Sequence, residues 1–463
     1  MFVRQKQHTL ILKKIQQLMN KLVFLTLLAS IWFQPAKAGL FKATEFELSN
    51  GMRGVVVENH KAPIVKHMVW YQVGAVDETP EQHGLAHLLE HLMFRGTTHT
   101  ADGEFNRIVN ELGAESNAFT GYDVTAYHQF ADISRLEALM ALEADRMKNL
   151  NLLQKHFDAE QKIVFQERKQ VVENNPAAPF NERLMMMLYG NSRYGRPIGG
   201  YDTDINNLTL AQTKKFYKDF YAPNNAILIL SGDIDTETAK TLAEKYYGNI
   251  PPKKIKHQKP DTEITAFKTT LTMALPNIQS IKITDKYLLP NYQNLQGNIY
   301  DYAVLAEYLG GGETSALYRD LVLDQKVALG VSVDFHFVSR GNCTFSIYML
   351  PTEGITPEDA RVLLYEAVES AMSKLTAEKV KQVQRKMTAD LVYENDNPED
   401  AAYWIGYMLS SGFNLKDVEN YAENIEKVTL KDVKQAYQNV LNASVVAGTL
   451  LPQPSTPVKG GKK

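Results

Sequence analysis

Two histidines and a glutamate lie within the five residues His87-Leu88-Leu89-Glu90-His91. Histidines four positions apart on a helix project from one face about a turn apart, so both can bind one ion. Glu90 lies three residues after His87 and one before His91, so its carboxylate can face the same ion. Neutral imidazoles hold Zn²⁺, and a carboxylate that is not a ligand can take a proton from the water that the ion activates. The spacing therefore predicts a zinc site for hydrolysis.

The order H-x-x-E-H is the reverse of the commoner H-E-x-x-H zinc helix, and it is known as a peptidase motif. The alternative is a surface helix that carries two incidental histidines. The rest of the chain decides between these two interpretations.

A second helix, predicted from His156 to Val172, carries Glu160 and Glu167 on one face, two turns apart. A catalytic zinc normally has three protein ligands, and two histidines with one glutamate are an established set. The two Cα atoms are about 10 Å apart on a helix, so both glutamates cannot easily bind one ion. Our hypothesis is that Glu167 is the third ligand and that the other glutamate orients a ligand or faces the substrate. The alternative is two solvated glutamates.

The composition bounds the class of protein. At 463 residues the chain is long enough for two or more domains, and 44% apolar with 22% charged residues is typical of a globular protein. The net charge of −3, without a long basic run, argues against a nucleic-acid partner. The single cysteine, Cys343, excludes an intrachain disulfide and predicts a buried thiol.

The first 38 residues have the pattern of a secretory signal peptide. Lys21 precedes an apolar run over residues 22–33, and an Ala-x-Ala sequence ending at Ala38 follows it. We expect cleavage after Ala38 and export, to the periplasm, without stable insertion in a membrane, since the run is short for a permanent span. The alternative is an uncleaved anchor, and Met19 would begin a more typical signal than Met1.

The rest of the chain contains an internal repeat. Residues 209–217 (TLAQTKKFY) are echoed at 429–437 (TLKDVKQAY), each copy a Thr-capped helix start followed by a strand. The proline-containing polar stretch 251–262 between them predicts a linker. We therefore predict two homologous α+β lobes, at 39–250 and 263–450, the second without a metal motif, and a disordered tail at 451–463.

Several separate motifs resemble the pitrilysin and mitochondrial-processing-peptidase family of zinc peptidases. They are the run GLAHLLEHLMFRGT at 84–97, Glu167 at 76 positions after His91, and Glu160 seven residues before it. ESNAFTGYDVTAY at 115–127 is similar to the family's substrate-binding edge strand, and YAPNNAILILSGDID at 221–235 to the strand that closes its first domain.

The resemblance implies two lobes, each a mixed, mostly antiparallel sheet packed with helices, arranged as a clamshell around a cavity. It implies one Zn²⁺ per chain, bound by His87, His91 and Glu167, with Glu90 as the general base and Glu160 as an auxiliary glutamate. It also implies that a peptide or unfolded protein substrate binds along the edge strand; the residues concerned are Asn117, Ala118 and Phe119.

One departure from the family concerns the second lobe, where complete members carry an Arg and, seven residues later, a Tyr. Asp324 and Val331 occupy the aligned positions here. Some bacterial members carry the zinc site on one chain and the Arg/Tyr pair on a second chain. This chain resembles the one that carries the zinc site. We therefore expect a zinc metalloendopeptidase that hydrolyses exported peptides or unfolded segments, in a heterodimer whose partner subunit supplies the Arg/Tyr pair. The alternative is a non-catalytic assembly or scaffold member of the family.

Overall fold

Two mixed sheets, one in each half of the chain, form the framework of the protein. The structure is a computed structural model that describes residues 39–258, 267–395 and 397–453. The strands in these residues are β1 (Thr44–Glu47), β2 (Arg53–Glu58), β3 (Ile64–Tyr71), β4 (Glu115–Thr120), β5 (Thr125–Asp132), β6 (Ala226–Gly232), β7 (Lys268–Leu275), β8 (Lys282–Leu289), β9 (Ala328–His336), β10 (Cys343–Pro351) and β11 (Ser444–Pro452).

Helices cover both sheets. They are α1 (Leu85–Leu92), α2 (Glu104–Glu111), α3 (Leu136–Asn149), α4 (Gln154–Asn174), α5 (Ala178–Tyr189), α6 (Asp202–Asn207), α7 (Leu210–Phe220), α8 (Thr236–Tyr247), α9 (Ile299–Gly310), α10 (Pro357–Ser373), α11 (Ala377–Asn395), α12 (Pro398–Ser410), α13 (Leu415–Glu419), α14 (Tyr421–Lys427) and α15 (Leu430–Asn442). A π-helical segment, Tyr318–Asp324, precedes β9.

The two sheets have the same topology, except that the first has one additional edge strand, β1, antiparallel to β2. The first has the strand order β1-β2-β6-β3-β5-β4 and the second β7-β11-β8-β10-β9. In each, one parallel pair (β2–β6 and β7–β11) is followed by antiparallel pairs. Thr209 and Thr429 cap α7 and α15 in the same way, each accepting a bond from the third backbone N–H of its helix. The predicted α+β class with mixed, mostly antiparallel sheets is confirmed, and so is the repeat.

Each half covers the sheet of the other half with one helix. Phe180 and Leu184 of α5 pack against Leu288, Val446 and Leu450 of the second sheet. In return, α12 lies on the first sheet, where Gly406 is in close contact with the fully buried Trp70. Because of this exchange, residues from Leu40 onward form one compact unit.

Buried charges reinforce the contact between the halves. Lys66 of β3 is 2% exposed and pairs with Glu399 of α12 at 2.5 Å. Arg340 lies between two carboxylates of the first half, 2.7 Å from Asp77 and 2.9 Å from Asp123. Removing one partner would leave a buried charge uncompensated, which is costly. The relative position of the two halves is therefore fixed by charge as well as by apolar packing.

The predicted ends of the second half need one correction. The sequence predicts a tail from residue 451 onward, but β11 continues to Pro452, and the Gln453 N–H donates to the Leu275 carbonyl at 3.1 Å. The parallel pairing with β7 continues to the end of that strand, which keeps these residues ordered. Residues 454–463 and the predicted signal at 1–38 lie outside the described residues.

The first part of the predicted linker is attached to the first half. Residues 251–258 form neither helix nor strand, as expected of a linker. The Lys253 N–H nevertheless donates to the Asn224 side chain at 2.9 Å, and His257 contacts Asp77 and Asn225 at 3.1 and 3.0 Å. Residues 259–262 are not among those described.

Two further predictions concern single features. Cys343 is buried, as expected. Of the helices in the described residues, none is both long enough and apolar enough to cross a membrane.

Replacing Gly406 by Ala should loosen the contact between the halves. The added Cβ would lie 2.0 Å from Cε2 of Trp70, which is buried and cannot move away freely. Overpacking of this kind costs about 1–3 kcal/mol, and the helix preference of Ala offsets about 1 kcal/mol of it. We expect a net loss of up to about 2 kcal/mol in the free energy of unfolding, measured by chemical denaturation.

Gly330→Ala in strand β9 is the matched control, because no heavy atom lies within 4 Å of its added Cβ. It should leave the denaturation midpoint unchanged or raise it. Equal midpoints for the two variants would contradict the close contact of α12 with the first sheet.

Candidate metal centre

The start of helix α1 is fixed by backbone contacts. Gly84 has φ 89°, a left-handed conformation that glycine adopts without strain, and an added Cβ would lie 2.5 Å from the Gly199 carbonyl oxygen. The buried Glu78 carboxylate accepts bonds from the Gly84 N–H at 3.0 Å and the Ala86 N–H at 2.8 Å. A carboxylate at a helix N-terminus is favourable, since it neutralises free N–H groups and the dipole.

Helix α1 presents both histidines on one face, as the sequence predicted. The His87 and His91 ring centroids are 4.9 Å apart. The opposite face is buried in the core of the first half; its residues are Leu85, Leu88, Leu89 and Leu92. This packing fixes the rotation of the helix and therefore the direction in which the imidazoles point.

Glu167 of α4 reaches both imidazoles. Its Oε2 lies 3.4 Å from His91 Nε2 and 3.9 Å from His87 Nε2. In the described part of the chain, this is the one set of three potential ligands whose donor atoms all lie within 4.8 Å of one another. Donors around a tetrahedral zinc are separated by about 3.3 Å, so these residues fit a Zn²⁺ ion after only a small contraction.

Glu160 occupies a different position, behind His91. Its Oε2 is 2.9 Å from His91 Nδ1, and its Oε1 accepts hydrogen bonds from the Arg95 guanidinium. This arrangement leaves His91 Nε2 directed at Glu167, which is how an outer carboxylate commonly orients a histidine ligand. By contrast, His87 Nδ1 is buried without a hydrogen-bond partner in the described residues.

The two imidazoles differ in proton affinity. Burial, helped by the positive charge of His91, lowers the pKa of His87 to about 4. Burial alone would lower the pKa of His91 too, but its bond to Glu160 and the charge of Glu167 raise it above the ordinary value. His87 is therefore neutral over a wide pH range, and the neutral imidazole is the form that binds a metal.

Glu90 lies beside the two histidines and is held by strand β4. The Thr120 hydroxyl donates to Glu90 Oε2 at 2.6 Å. Burial raises the pKa of Glu90, and the bond from Thr120 only partly opposes this. The result is a carboxylate with increased proton affinity, a property that suits a general base.

A groove extends to both sides of the His87, Glu90 and Glu167 side chains. Two cavities of about 820 and 510 Å³ adjoin each other, and both are lined by His87, Glu90 and Glu167. Ala118 and Phe119 line the larger cavity and Asn117 the smaller one. The three residues predicted to bind substrate therefore lie along this groove.

Strand β4 is one of the two edge strands of the first sheet, and its register shows which of its backbone groups point away from β5. The Gly121 N–H donates to the Val124 carbonyl at 2.7 Å. Hydrogen-bonded pairs alternate along an antiparallel ladder, so Asn117 and Phe119 bond to β5 while Ala118 faces the open edge. The Ala118 N–H donates to Oδ1 of the neighbouring Asn117 side chain at 2.9 Å.

The Phe119 side chain lies in an aromatic cluster between the halves. Its ring is 5.2 Å from that of Trp70 and 5.5 Å from that of Tyr407 of α12. Phe119 is therefore held by packing on one side while it lines the cavity on the other.

The positions aligned with the family's Arg and Tyr carry no side-chain donor. Asp324 is exposed at the end of the π-helical segment, and Val331 is buried in the core of the second half. Because Val331 is only 6% exposed, a tyrosine placed there would have to displace core side chains.

Three contributors to the centre were not singled out from the sequence. Arg95 and Thr120 lie within the quoted motifs, but their bonds to Glu160 and Glu90 join distant parts of the chain. The third contributor is the segment 197–200, which lines the larger cavity. This segment contains two glycines and lies beside Gly84 in the fold. No local pattern in the sequence predicts that it lines the cavity.

Comparison with known protein families agrees with this geometry. The family model described as "Insulinase (Peptidase family M16)" matches residues 54–202, and the model "Peptidase M16 inactive domain" matches residues 207–387. The chain belongs to peptidase family M16. This family includes pitrilysin and the mitochondrial processing peptidases, so the resemblance found in the sequence is confirmed.

Curated M16 relatives are named as zinc proteases. Zinc protease PqqE of Helicobacter pylori is 31% identical over 303 residues, which are 63% of this chain and 66% of that protein. The match therefore spans just under two thirds of the length of PqqE. The uncharacterized zinc protease YmxG of Bacillus subtilis is 27% identical over 314 residues, 65% of this chain and 72% of that one. These names support a zinc peptidase at the level of the family.

Solved M16 structures share the fold. A protease from Helicobacter pylori superposes with a TM-score of 0.80 at 24% identity, covering 89% of this chain and 99% of that one. The periplasmic protease PqqL from Escherichia coli gives a TM-score of 0.77 at 17% identity, covering 89% of this chain and 48% of that one. They support the clamshell arrangement of two lobes.

Replacing a ligand should abolish stoichiometric zinc binding. His87→Ala and Glu167→Ala each leave two of the three donors, so we expect zinc per chain to fall from about one to near zero after dialysis. Metal content by elemental analysis is the measurement, and it does not depend on activity.

Glu173→Ala is the matched control, since Glu173 is an exposed glutamate on the same helix. It should keep its zinc. Glu160→Gln should retain metal with an affinity weakened about 10- to 100-fold. Full zinc binding by Glu167→Ala would show that the third donor lies elsewhere.

Proposed function

We propose that this chain is a zinc-dependent endopeptidase of the M16 family, with His87, His91 and Glu167 as ligands and Glu90 as the general base. The single observation that carries the proposal is the convergence of three ligand atoms within 4.8 Å in a groove that Glu90 also lines. An intact donor set favours an enzyme over the scaffold alternative, since a structural subunit has no need to keep it.

Several residues of the chain have separate roles in peptide hydrolysis. When bound, Zn²⁺ would polarise the attacking water and the scissile carbonyl. Glu90 accepts a proton from that water and then passes it to the leaving amine, and its raised pKa favours the first transfer. Thr120 fixes one oxygen of Glu90, and Glu160 fixes the ring of His91.

Strand β4 supports a main-chain mode of substrate binding. A peptide laid along the open edge would take hydrogen bonds from Ala118 and lie across the centre, because the groove follows the strand. Strand addition uses backbone groups and therefore accepts many sequences, provided that the substrate is extended. We infer that the substrates are peptides or unfolded segments.

A partner subunit is the second part of the proposal. Hydrolysis of a peptide builds negative charge on the carbonyl oxygen, and a donor placed there is commonly worth about 10²–10³ in rate. The aligned positions in the second half hold Asp324, an acceptor, and the buried Val331. We infer that a second M16 chain, carrying the Arg and Tyr, completes the site in a heterodimer.

Export is the third part. The apolar run at 22–33 with its Ala-x-Ala sequence supports a cleaved signal peptide. The Escherichia coli relative PqqL is described as periplasmic. We therefore infer that the substrates are met outside the cytoplasm.

Glu90→Gln tests the mechanism. The glutamine side chain would keep the shape and the bond to Thr120 but could not accept a proton, so hydrolysis of an unfolded peptide should fall by at least about 10²-fold. Zinc content should be unchanged, because Glu90 is not a ligand. A fully active Glu90→Gln protein would rule out this residue as the base.

Ala118→Pro tests the edge strand. Proline removes the Ala118 N–H, which faces the open edge, so KM should rise while the fold is retained. Asn117→Pro is the contrast, since its N–H lies on the β5 side of the ladder and its loss should destabilise the protein. An unchanged KM in a folded Ala118→Pro protein would exclude strand addition at this site.

The partner is tested by reconstitution. The isolated chain should be folded and zinc-loaded but nearly inactive, and an exported M16 chain that carries the Arg/Tyr pair should raise its activity by about 10²-fold or more. Native purification with mass spectrometry identifies that chain. Cleavage by the isolated chain at the full rate of the mixture would remove the need for a partner.

A further inference from the structure

Arg340, in the connection between β9 and β10, contacts two segments of the first half. Its side chain is 16% exposed and donates from Nη2 to Asp77 Oδ2 at 2.7 Å and from Nε to Asp123 Oδ1 at 2.9 Å. Its backbone N–H donates to Asp123 Oδ2 at 3.2 Å. A guanidinium presents its donors in a rigid plane, so one arginine can hold two carboxylates at a fixed separation. Both carboxylates belong to segments that lead to the candidate metal centre.

Asp77 ends the short turn that precedes helix α1. The next residue, Glu78, accepts bonds from the Gly84 and Ala86 N–H groups at the start of that helix. A shift of Asp77 would therefore shift the start of α1, and with it the imidazoles and the carboxylate that the helix carries.

Asp123 lies at the tip of the hairpin that joins β4 to β5. Strand β4 ends at Thr120, whose hydroxyl donates to Glu90 Oε2 at 2.6 Å. Across the tip, the Gly121 N–H donates to the Val124 carbonyl at 2.7 Å, which makes the turn tight. A shift of Asp123 would therefore move Thr120 and the oxygen of Glu90 that it fixes.

The turn and the hairpin tip lie directly on each other. The Ala75 N–H donates to the Gly121 carbonyl at 3.1 Å, and the Val76 N–H donates to the Tyr122 carbonyl at 2.9 Å. An added Cβ on Gly74 would lie 2.5 Å from each of these two carbonyl oxygens, so no side chain fits between the two backbones. A bond to one segment therefore also restrains the other.

Charge explains why an arginine lies at this contact. The side chains of Asp77 and Asp123 are 0% and 7% exposed. Burial would raise the pKa of Asp77, but the bond from His257 and the charge of Arg340 hold it below the ordinary value. Two carboxylates bound to one guanidinium would repel each other in its absence. The cation therefore keeps the turn and the hairpin tip together.

We propose that Arg340 is a positioning residue for the candidate metal centre. It holds the turn before α1 against the hairpin tip beyond Thr120, and so keeps Glu90 in place beside the two imidazoles. The second half of the chain thus acts on the centre, although it carries no metal motif. This role differs from that of an Arg/Tyr pair on a partner subunit, because Arg340 acts through the backbone of the first half and not on the substrate. The effect on catalysis rests on the proposed peptidase function.

Amide hydrogen exchange of the zinc-loaded chain tests the contact without any need for activity. Arg340→Lys keeps a positive charge, but a single ammonium group lacks the planar fork that serves both carboxylates. Peptides that cover residues 84–92 and 117–124 should exchange about 10-fold faster than in wild type, because a lost bond to a charged group lowers local stability. In the reconstituted complex, kcat for an unfolded peptide should fall about 10- to 100-fold, with a smaller change in KM.

Asp123→Asn is the second variant, and it leaves no buried cation without a partner, because Arg340 still pairs with Asp77. It should accelerate exchange in residues 117–124 and lower kcat, by a smaller factor than Arg340→Lys.

Lys66→Met is the matched control. Lys66 is another buried cation at the contact between the halves, paired with Glu399. It lies beside Phe130 of β5, whereas Thr120 lies beside Thr125 at the other end of that strand. This variant should keep the wild-type exchange in both segments and the wild-type kcat.

Wild-type exchange in both segments of a folded Arg340→Lys chain would overturn the inference, and so would an equal acceleration in Lys66→Met. If Arg340→Lys does not fold, unchanged exchange and unchanged kcat in Asp123→Asn would overturn it. If the wild-type complex cleaves no peptide, the proposed function falls, while the exchange measurement still decides whether Arg340 holds the two segments.

Discussion

The candidate metal centre depends on a fixed spacing between helices α1 and α4. One helix supplies two imidazoles and the other supplies a carboxylate, and the ligands are 76 positions apart in the sequence. Glu160 sets this spacing before any ion binds, since it reaches from α4 to His91 within α1 and to Arg95 beyond its end. The leucines of α1 hold the other side of the helix in the core. The site is therefore organised by one buried carboxylate and by packing.

The second half shows what becomes of the same arrangement without a metal. Helices α9 and α11 occupy the places there that α1 and α4 occupy in the first half, judged by the shared strand order and element sequence. Lys386 and Glu307 join them through an ion pair of 2.7 Å. An ion pair thus joins α9 and α11, whereas a bound metal ion would join the corresponding helices α1 and α4 of the first half.

The sequence predicted the parts of the site that depend on local spacing. His87, Glu90 and His91 share a helix, and the separation of Glu160 from Glu167 was enough to suggest that one binds the ion while the other supports it. The structure places Glu167 beside both imidazoles and Glu160 behind His91, because the spacing along a helix sets the direction of each side chain. Contacts between distant segments could not be predicted in this way. The bond from Thr120 to Glu90 and the exposed edge of Ala118 depend on how β4 packs beside α1, which no local pattern records.

The exchange of helices between the halves was also invisible in the sequence, since α5 and α12 have ordinary amphipathic patterns that do not say which sheet they cover. Its consequence concerns the order of events during synthesis. Phe180 and Leu184 of α5 pack against Gly448 of β11, the last strand of the described chain. Until that strand has been made, the surface that the apolar face of α5 covers is incomplete, although the candidate metal ligands beside it have already been made. A nascent first half therefore carries all the residues of the candidate metal centre together with a helix whose apolar face is only partly covered, the state in which chaperones recognise a chain.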